Sequence, residues 1–418
     1  MENIDINNQS VSPGRLDRLA RKLVLAQLSQ IRDGELSIHE GHESHHFGEP
    51  ASDGLSASLS ISDSSCWRDM LTGGSIGAAE AYVAGDWSSP DLTALLRLFA
   101  RNVDRLNQFE DRYSWLTKPA LKALHWANRN SETGSRKNIE AHYDLGNDLF
   151  ERFLDSSMMY SAAIFPSDDS TLEQAQFTKL DRICQKLALT PTDHVVEIGT
   201  GWGGFALHAA RHYGCHVTTT TISREQYDWA AERIREQGLE DRITLLFEDY
   251  RKLTGRFDKL VSIEMIEAVG PQYLPTYIRT VSQLLKEDGL ALIQAITLPE
   301  QRYQRALKNV DFIQRHIFPG SFIPSLAAIL ESTQTQSDLV LTHLEDIGFH
   351  YARTLACWRE RFLGSRQALH ETGYNEAFVR LWDFYFCYCE AGFAERAIGD
   401  AQLLFAKPRN KRPNLVTV

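Results

Sequence analysis

Apolar residues recur at helical spacing over residues 14–33, where Leu16, Leu19, Leu23, Leu25 and Leu28 punctuate GRLDRLARKLVLAQLSQIRD. That period predicts an amphipathic helix. Two short alternating runs, GELSIHE and LSASLSISD, then suit strands. A Gly/Ala/Ser-rich helix is expected around 75–84 and another at 91–106. Residues 1–108 thus read as a small α+β domain.

From about residue 170 the rhythm becomes helix, strand, helix. Helices are expected at 171–188, 223–237 and 273–286, and strands in HVVEI, CHVTTTTIS, RITLLFEDY, DKLVSIEMI and GLALIQAIT. Such alternation specifies a mostly parallel, doubly wound α/β sheet with helices on both faces. A long helical region follows residue 300, and two strand-like runs, FHYARTLACW and DAQLLFAK, flank an aromatic helix at 374–395.

One strand carries a puzzle. VSIEMIEAVG places Glu264 and Glu267 among apolar residues, and carboxylates are rarely buried without a partner. Strand alternation sends the two to opposite faces, which makes Glu264 structural and leaves Glu267 at the rim, facing the chemistry.

Composition narrows the function classes. The net charge of −11 over 418 residues argues against nucleic-acid binding. No apolar run reaches the ~18 residues of a membrane-spanning helix, and MENIDINNQS is not a signal peptide. The six cysteines lack paired CxxC spacing, so neither structural zinc nor a disulfide framework is expected. The reading is a cytoplasmic protein with reduced thiols and no metal. Residues 109–138 differ: basic side chains interleave with Trp115 and Trp126. This segment is either a linker with one packed helix or a contact for an anionic bilayer surface.

VVEIGTGWGGF is a buried strand ending in a glycine-rich turn that opens a helix. A nicotinamide cofactor asks for G-x-G-x-x-G and an acid ending the next strand; here the spacing differs and that strand ends TTTTIS. The E-x-G-x-G-x-G pattern instead resembles the first motif of S-adenosylmethionine-dependent methyltransferases.

Four more segments sharpen the likeness: IEAHYDLGNDLFERFLD, MMYSAAIF, TTTISREQ and IEAVG. Together they closely resemble the cyclopropane fatty acid synthase family, which includes the mycolic acid cyclopropane synthases. The likeness runs from residue 139 to the end, so 139–418 is expected to be a Rossmann-like class I methyltransferase domain with helical acyl-chain-binding insertions. In that family a cis double bond of a lipid acyl chain attacks the sulfonium methyl, a carbocation forms, and a base removes a proton as the ring closes. An alkene is a weak nucleophile, so it must be held in line, and the cation favours aromatic faces.

The resemblance implies that Tyr160, Ser161, Gly199 and Gly201 meet the cofactor's methionine end, Thr221 and Gln226 its ribose, and Phe247 and Glu248 its adenine. It implies bicarbonate as the base, held by a cysteine, a glutamate, a histidine, an isoleucine and a tyrosine. The matching positions here are Ala162, Glu267, Gln294, Ile296 and Tyr385, so the cysteine and histidine are absent. Two readings stay open: bicarbonate held by Gln294 and backbone amides, or a protein carboxylate, Glu267 first and Glu390 second. Ring formation leads. A proton lost from the transferred methyl without closure gives a methylene branch, and one lost from the chain gives a methylated alkene. A lipid-binding protein with a degenerate site is the rival from another class. The resemblance further implies unsaturated phospholipid partners, peripheral attachment to the inner face of the cytoplasmic membrane, and a homodimer.

Overall fold

A computed structural model describes residues 15–106 and 146–413. The chain divides into two compact units, Met1–Pro119 and Ala120–Val418. The basic segment at 109–138 and the first part of the HYDLGNDLF motif lie outside the described residues.

In the first unit a four-stranded sheet runs β2-β1-β3-β4. Its strands are β1 (Gly34–Glu40), β2 (Glu43–Glu49), β3 (Ser56–Ile61) and β4 (Trp87–Ser88). The alternation read in GELSIHE is real: Leu36 and Ile38 are buried and pack with Ala57 and Leu59 of β3, which runs parallel to β1. β2 escaped the sequence reading because ESHHFGE has a single large apolar residue, Phe47, and so no apolar alternation, as suits an exposed edge strand. The helix expected at 75–84 is longer, Cys66–Ala84, with non-helical backbone at Gly74.

The second unit holds a seven-stranded sheet in the order β10-β11-β9-β8-β5-β6-β7. These are β5 (His194–Ile198), β6 (His216–Thr221), β7 (Ile243–Phe247), β8 (Phe257–Ile263), β9 (Leu285–Thr297), β10 (Val340–Asp346) and β11 (Gly399–Ala406). Strands β5 to β9 pair in parallel, and β11 runs antiparallel to both β9 and β10. Val195, Val196, Ile198, Leu260, Val261 and Leu290–Ile293 are buried, the pattern of strands covered on both faces. The helix expected at 171–188 spans Leu172–Leu187 and opens with a capping box between Thr171 and Gln174.

One assignment is corrected. FHYARTLACW is not a strand but lies in the helix Gly348–Gly364. Its residues favour β structure locally, yet Tyr351, Leu355, Trp358 and Phe362 are buried at helical spacing, and tertiary packing overrides propensity. The strand is β10, just before it. The aromatic helix expected at 374–395 forms as Glu376–Ala394, and Trp382, Phe384, Tyr385 and Phe386 are buried.

Candidate active site

The order of the sheet reverses between β5 and β8, the switch point at which ligands bind beyond the carboxyl ends of strands. At the end of β5 the chain turns through Gly199 (φ +95°) and Gly201 (φ +52°) into the helix Gly204–Tyr213. A Cβ at Gly199 would sit 2.2 Å from Met265 Cγ, whereas one at Gly201 would meet open space. Glu197, one residue inside the strand, accepts 2.6 Å from the Thr219 hydroxyl; burial still pushes its carboxyl up to about 8.

The next two strands end alongside. At the end of β6, the Thr221 hydroxyl donates to Gln226 Oε1 at 2.9 Å, and Ser223 caps the helix that carries Gln226. At the end of β7, Phe247 is exposed, its ring 5.7 Å from that of Tyr227 and 5.8 Å below the Arg224 guanidinium. Glu248 follows it, and its carbonyl accepts from the Thr220 hydroxyl. Three neighbouring strand ends thus carry the expected pairs Gly199–Gly201, Thr221–Gln226 and Phe247–Glu248. Their open glycine turn, paired polar groups and exposed aromatic ring fit an elongated polar ligand with one flat ring.

On the other side of the switch point, β8 ends at Ile263, and Glu264 takes a left-handed conformation, φ +50°. Alternation therefore stops before it governs Glu264 and Glu267, and the expectation that they face opposite ways is overturned. Glu264 is not a bystander. Its Oε1 accepts from the Ala162 N–H and from Gln294 Nε2, each at 2.8 Å, and its Oε2 accepts from the Tyr351 hydroxyl at 2.7 Å. Glu267, in the short turn Ile266–Ala268, accepts from the Ile296 N–H at 2.5 Å, and its Oε2 is buried without a partner.

Strand β11 adds a third acid. Asp400 and Gln402 pair in register with Ile296 and Gln294. Gln294 donates to Asp400 Oδ2 at 3.2 Å and accepts from Gln402 Nε2 at 3.0 Å. Burial, then repulsion from Glu264 and Glu267, holds the Asp400 carboxyl well above the usual range. Burial also raises Glu267 well above the usual range, with repulsion from Glu264 next. The neighbouring cation is Lys179, which donates to Ser161 Oγ at 2.8 Å and is pushed down to about 8 by burial. Glu264 and Glu267 are half-buried as residues, although the Glu267 Oε2 atom itself is buried.

An aromatic wall adjoins. The Tyr160 and Tyr385 hydroxyls are 2.9 Å apart, and the Tyr160 ring lies 5.2 Å from Trp358 and 6.2 Å from Phe318. Phe150 and Phe153, from the described part of the NDLFERFLD run, pack behind Tyr160. The expected set is therefore assembled in parts. Glu264 bridges Ala162 and Gln294, Glu267 holds Ile296, and Tyr385 pairs with Tyr160. The Ser161 hydroxyl is turned inward to Lys179. Glu390, the second suspect as a base, is half-buried on the aromatic helix.

Lys179, Tyr351, Asp400 and Gln402 went unnoticed in the sequence. The only signal was the polar pair in DAQLLFAK, two acids or amides in an otherwise apolar strand, the same signal that marked Glu264.

A family model described as mycolic acid cyclopropane synthetase matches residues 130–403. The chain belongs to that family. It is thereby an S-adenosylmethionine-dependent methyltransferase, in a family of lipid methyltransferases that includes cyclopropane synthases. A tuberculostearic acid methyltransferase of Mycobacterium tuberculosis is 40% identical over 329 residues, covering 77% of this chain and 76% of the relative. The cyclopropane-fatty-acyl-phospholipid synthase of Escherichia coli is 35% identical over 354 residues, covering 84% of this chain and 88% of that protein. Among solved structures, a mycolic acid cyclopropane synthase of the family, complexed with S-adenosylhomocysteine, superposes with a TM-score of 0.61 at 27% identity, covering 65% of this chain and 98% of its own. A coclaurine N-methyltransferase, TM-score 0.59 at 19% identity, shares the fold.

Proposed function

We propose that the protein methylates the cis double bond of an unsaturated phospholipid acyl chain and that the product is a methyl- or methylene-branched chain. The observation that carries the reading is the row of strand ends beside a cluster of acids and aromatic rings. S-adenosylmethionine would supply an electrophilic methyl on its sulfonium. The glycine turn at Gly199 and Gly201, with Tyr160, would hold its methionine end. Thr221 and Gln226 would take the ribose hydroxyls, and Phe247 with Glu248 the adenine. Tyr160, Phe318, Trp358 and Tyr385 would turn ring faces and phenol dipoles towards the carbocation, and these rings would keep water from quenching it.

A specific observation favours branching over the ring. The tuberculostearic acid methyltransferase is the more similar of the two relatives named above, at 40% against 35% identity. The histidine and cysteine positions implied by the cyclopropane synthases are Gln294 and Ala162 here. Ring closure remains the second reading, supported by the broader coverage of the Escherichia coli enzyme.

Mass spectrometry of lipids from cells expressing the protein separates the two. Acyl chains one carbon heavier that still take up hydrogen at a double bond are expected. Chains heavier by CH2 alone, of the same mass as the branched alkene but without a reducible double bond, would establish the ring instead, and unchanged chains would remove both readings.

A further inference from the structure

We infer that the Glu264 carboxylate is the chain's own proton acceptor, seated where the family resemblance implies a free bicarbonate. The inference rests on the proposed methylation and names its base. Ala162 and Gln294 occupy two of the positions assigned to that anion, and both already donate to Glu264 Oε1 at 2.8 Å. The rest of the Gln294 amide is committed to Asp400 and Gln402. A bicarbonate would thus find these donors taken, and it would face Glu264, Glu267 and Asp400 together. The residues do not fit a bound anion; they fit a carboxylate supplied by the backbone turn itself.

The backbone agrees. A φ of +50° is ordinary for glycine and strained for a residue with a Cβ. Glu264 is held there by its own N–H, which donates to the Gln294 carbonyl at 2.8 Å, and by three donors on its carboxylate. Strain of this kind persists where the surroundings over-determine it, and such sites are often functional.

Among three crowded acids the negative charge settles on the best-solvated one. Glu264 accepts three hydrogen bonds, whereas Glu267 and Asp400 accept one each. Glu264 is therefore the anion, and Asp400, held well above the usual carboxylate range by burial, keeps its own proton. After methyl transfer the acyl chain is a cation on the carbon next to the one that bears the new methyl; for a methylene branch a 1,2-hydride shift first moves the charge to the methyl-bearing carbon. Glu264 takes a proton from a carbon beside the cationic centre, and that C–H electron pair becomes the new π bond. The chain is left neutral and Glu264 becomes a carboxylic acid, which loses its proton to solvent before the next turnover. No oxidant or reductant is needed.

The test uses the full-length protein, S-adenosylmethionine labelled in the methyl group, and vesicles of cis-monounsaturated phosphatidylglycerol, in buffer stripped of carbon dioxide or supplemented with bicarbonate. The wild-type rate should agree within twofold between the two buffers. Glu264→Gln should lose at least 100-fold in turnover while keeping its affinity for S-adenosylhomocysteine. Glu264→Gly, which relieves the backbone and empties the cradle, should recover at least tenfold when bicarbonate or acetate is added. A wild-type rate that falls tenfold without bicarbonate, or a Glu264→Gln enzyme within threefold of wild type, would overturn the inference alone. Wild-type protein that binds the cofactor and labels no acyl chain would remove the proposed function, and this inference with it. The wild-type comparison requires no variant to fold.

Discussion

Glu264 and Glu267 show how far one residue can be read. Their presence in an apolar strand marked the site, but their directions did not follow, because period-2 alternation holds only while the strand lasts and β8 ends at Ile263. The glycine turn, by contrast, was legible because its conformation is specific to glycine. Gly199→Ala should place a methyl 2.2 Å from Met265 Cγ at φ +95°. The expected outcome is a loss of roughly 1–3 kcal/mol in stability and at least tenfold in affinity for S-adenosylhomocysteine, measured by denaturant titration and calorimetry. Glu267 gives a pH prediction. Burial, with repulsion from Glu264 next, holds its carboxyl well above the usual carboxylate range, so the native state keeps a proton that the unfolded chain releases. Its contribution is full below the unfolded value and is lost as pH rises through the folded one. Glu267→Gln removes that term, so its melting temperature should fall less than that of wild type between pH 5 and pH 8. Parallel melting curves would remove Glu267 from the strained cluster.

At the scale of elements, the parallel sheet was legible because doubly buried strands read as continuous apolar runs between periodic helices. The edges were not. β2 is too polar and β10 too exposed to carry an apolar signal, and the helix Gly348–Gly364 is built from residues that favour strands. What joins that helix to Glu376–Ala394 is a set of aromatic rings around Phe153, fully buried and 5.4–6.4 Å from Tyr160, Trp358, Phe362, Trp382 and Phe386. Phe153→Ala should cost about 3–5 kcal/mol by opening a cavity among rings that are too rigid to collapse into it. A shift of less than about 1 kcal/mol in a urea titration would show that these helices are not held together there.

At the scale of the whole molecule, chemistry on an acyl chain must reconcile a protein of net charge −11 with a lipid surface. Among the described residues no helix is long and apolar enough to cross a membrane. Under the proposed function, docking falls to the basic, tryptophan-bearing segment at 109–138. Reversing the charges of Lys118, Lys122 and Arg129 should weaken binding to anionic vesicles at least tenfold, because each basic residue near such a surface contributes about 1 kcal/mol. The effect should shrink as salt is raised, and unchanged sedimentation with vesicles would reject that segment. Family and fold were open to sequence reading because the motifs are local. The acid cluster was not, since it joins β8, β9, β11 and two helices that only the fold brings together. The most direct measurement is a single incubation of full-length protein with trideuteromethyl S-adenosylmethionine and cis-monounsaturated phospholipid vesicles, followed by mass analysis of head groups and acyl chains separately. The account predicts deuterium in the acyl chains, on one added carbon. Deuterium confined to the head groups, or absent from the lipid while the cofactor is bound, would contradict it.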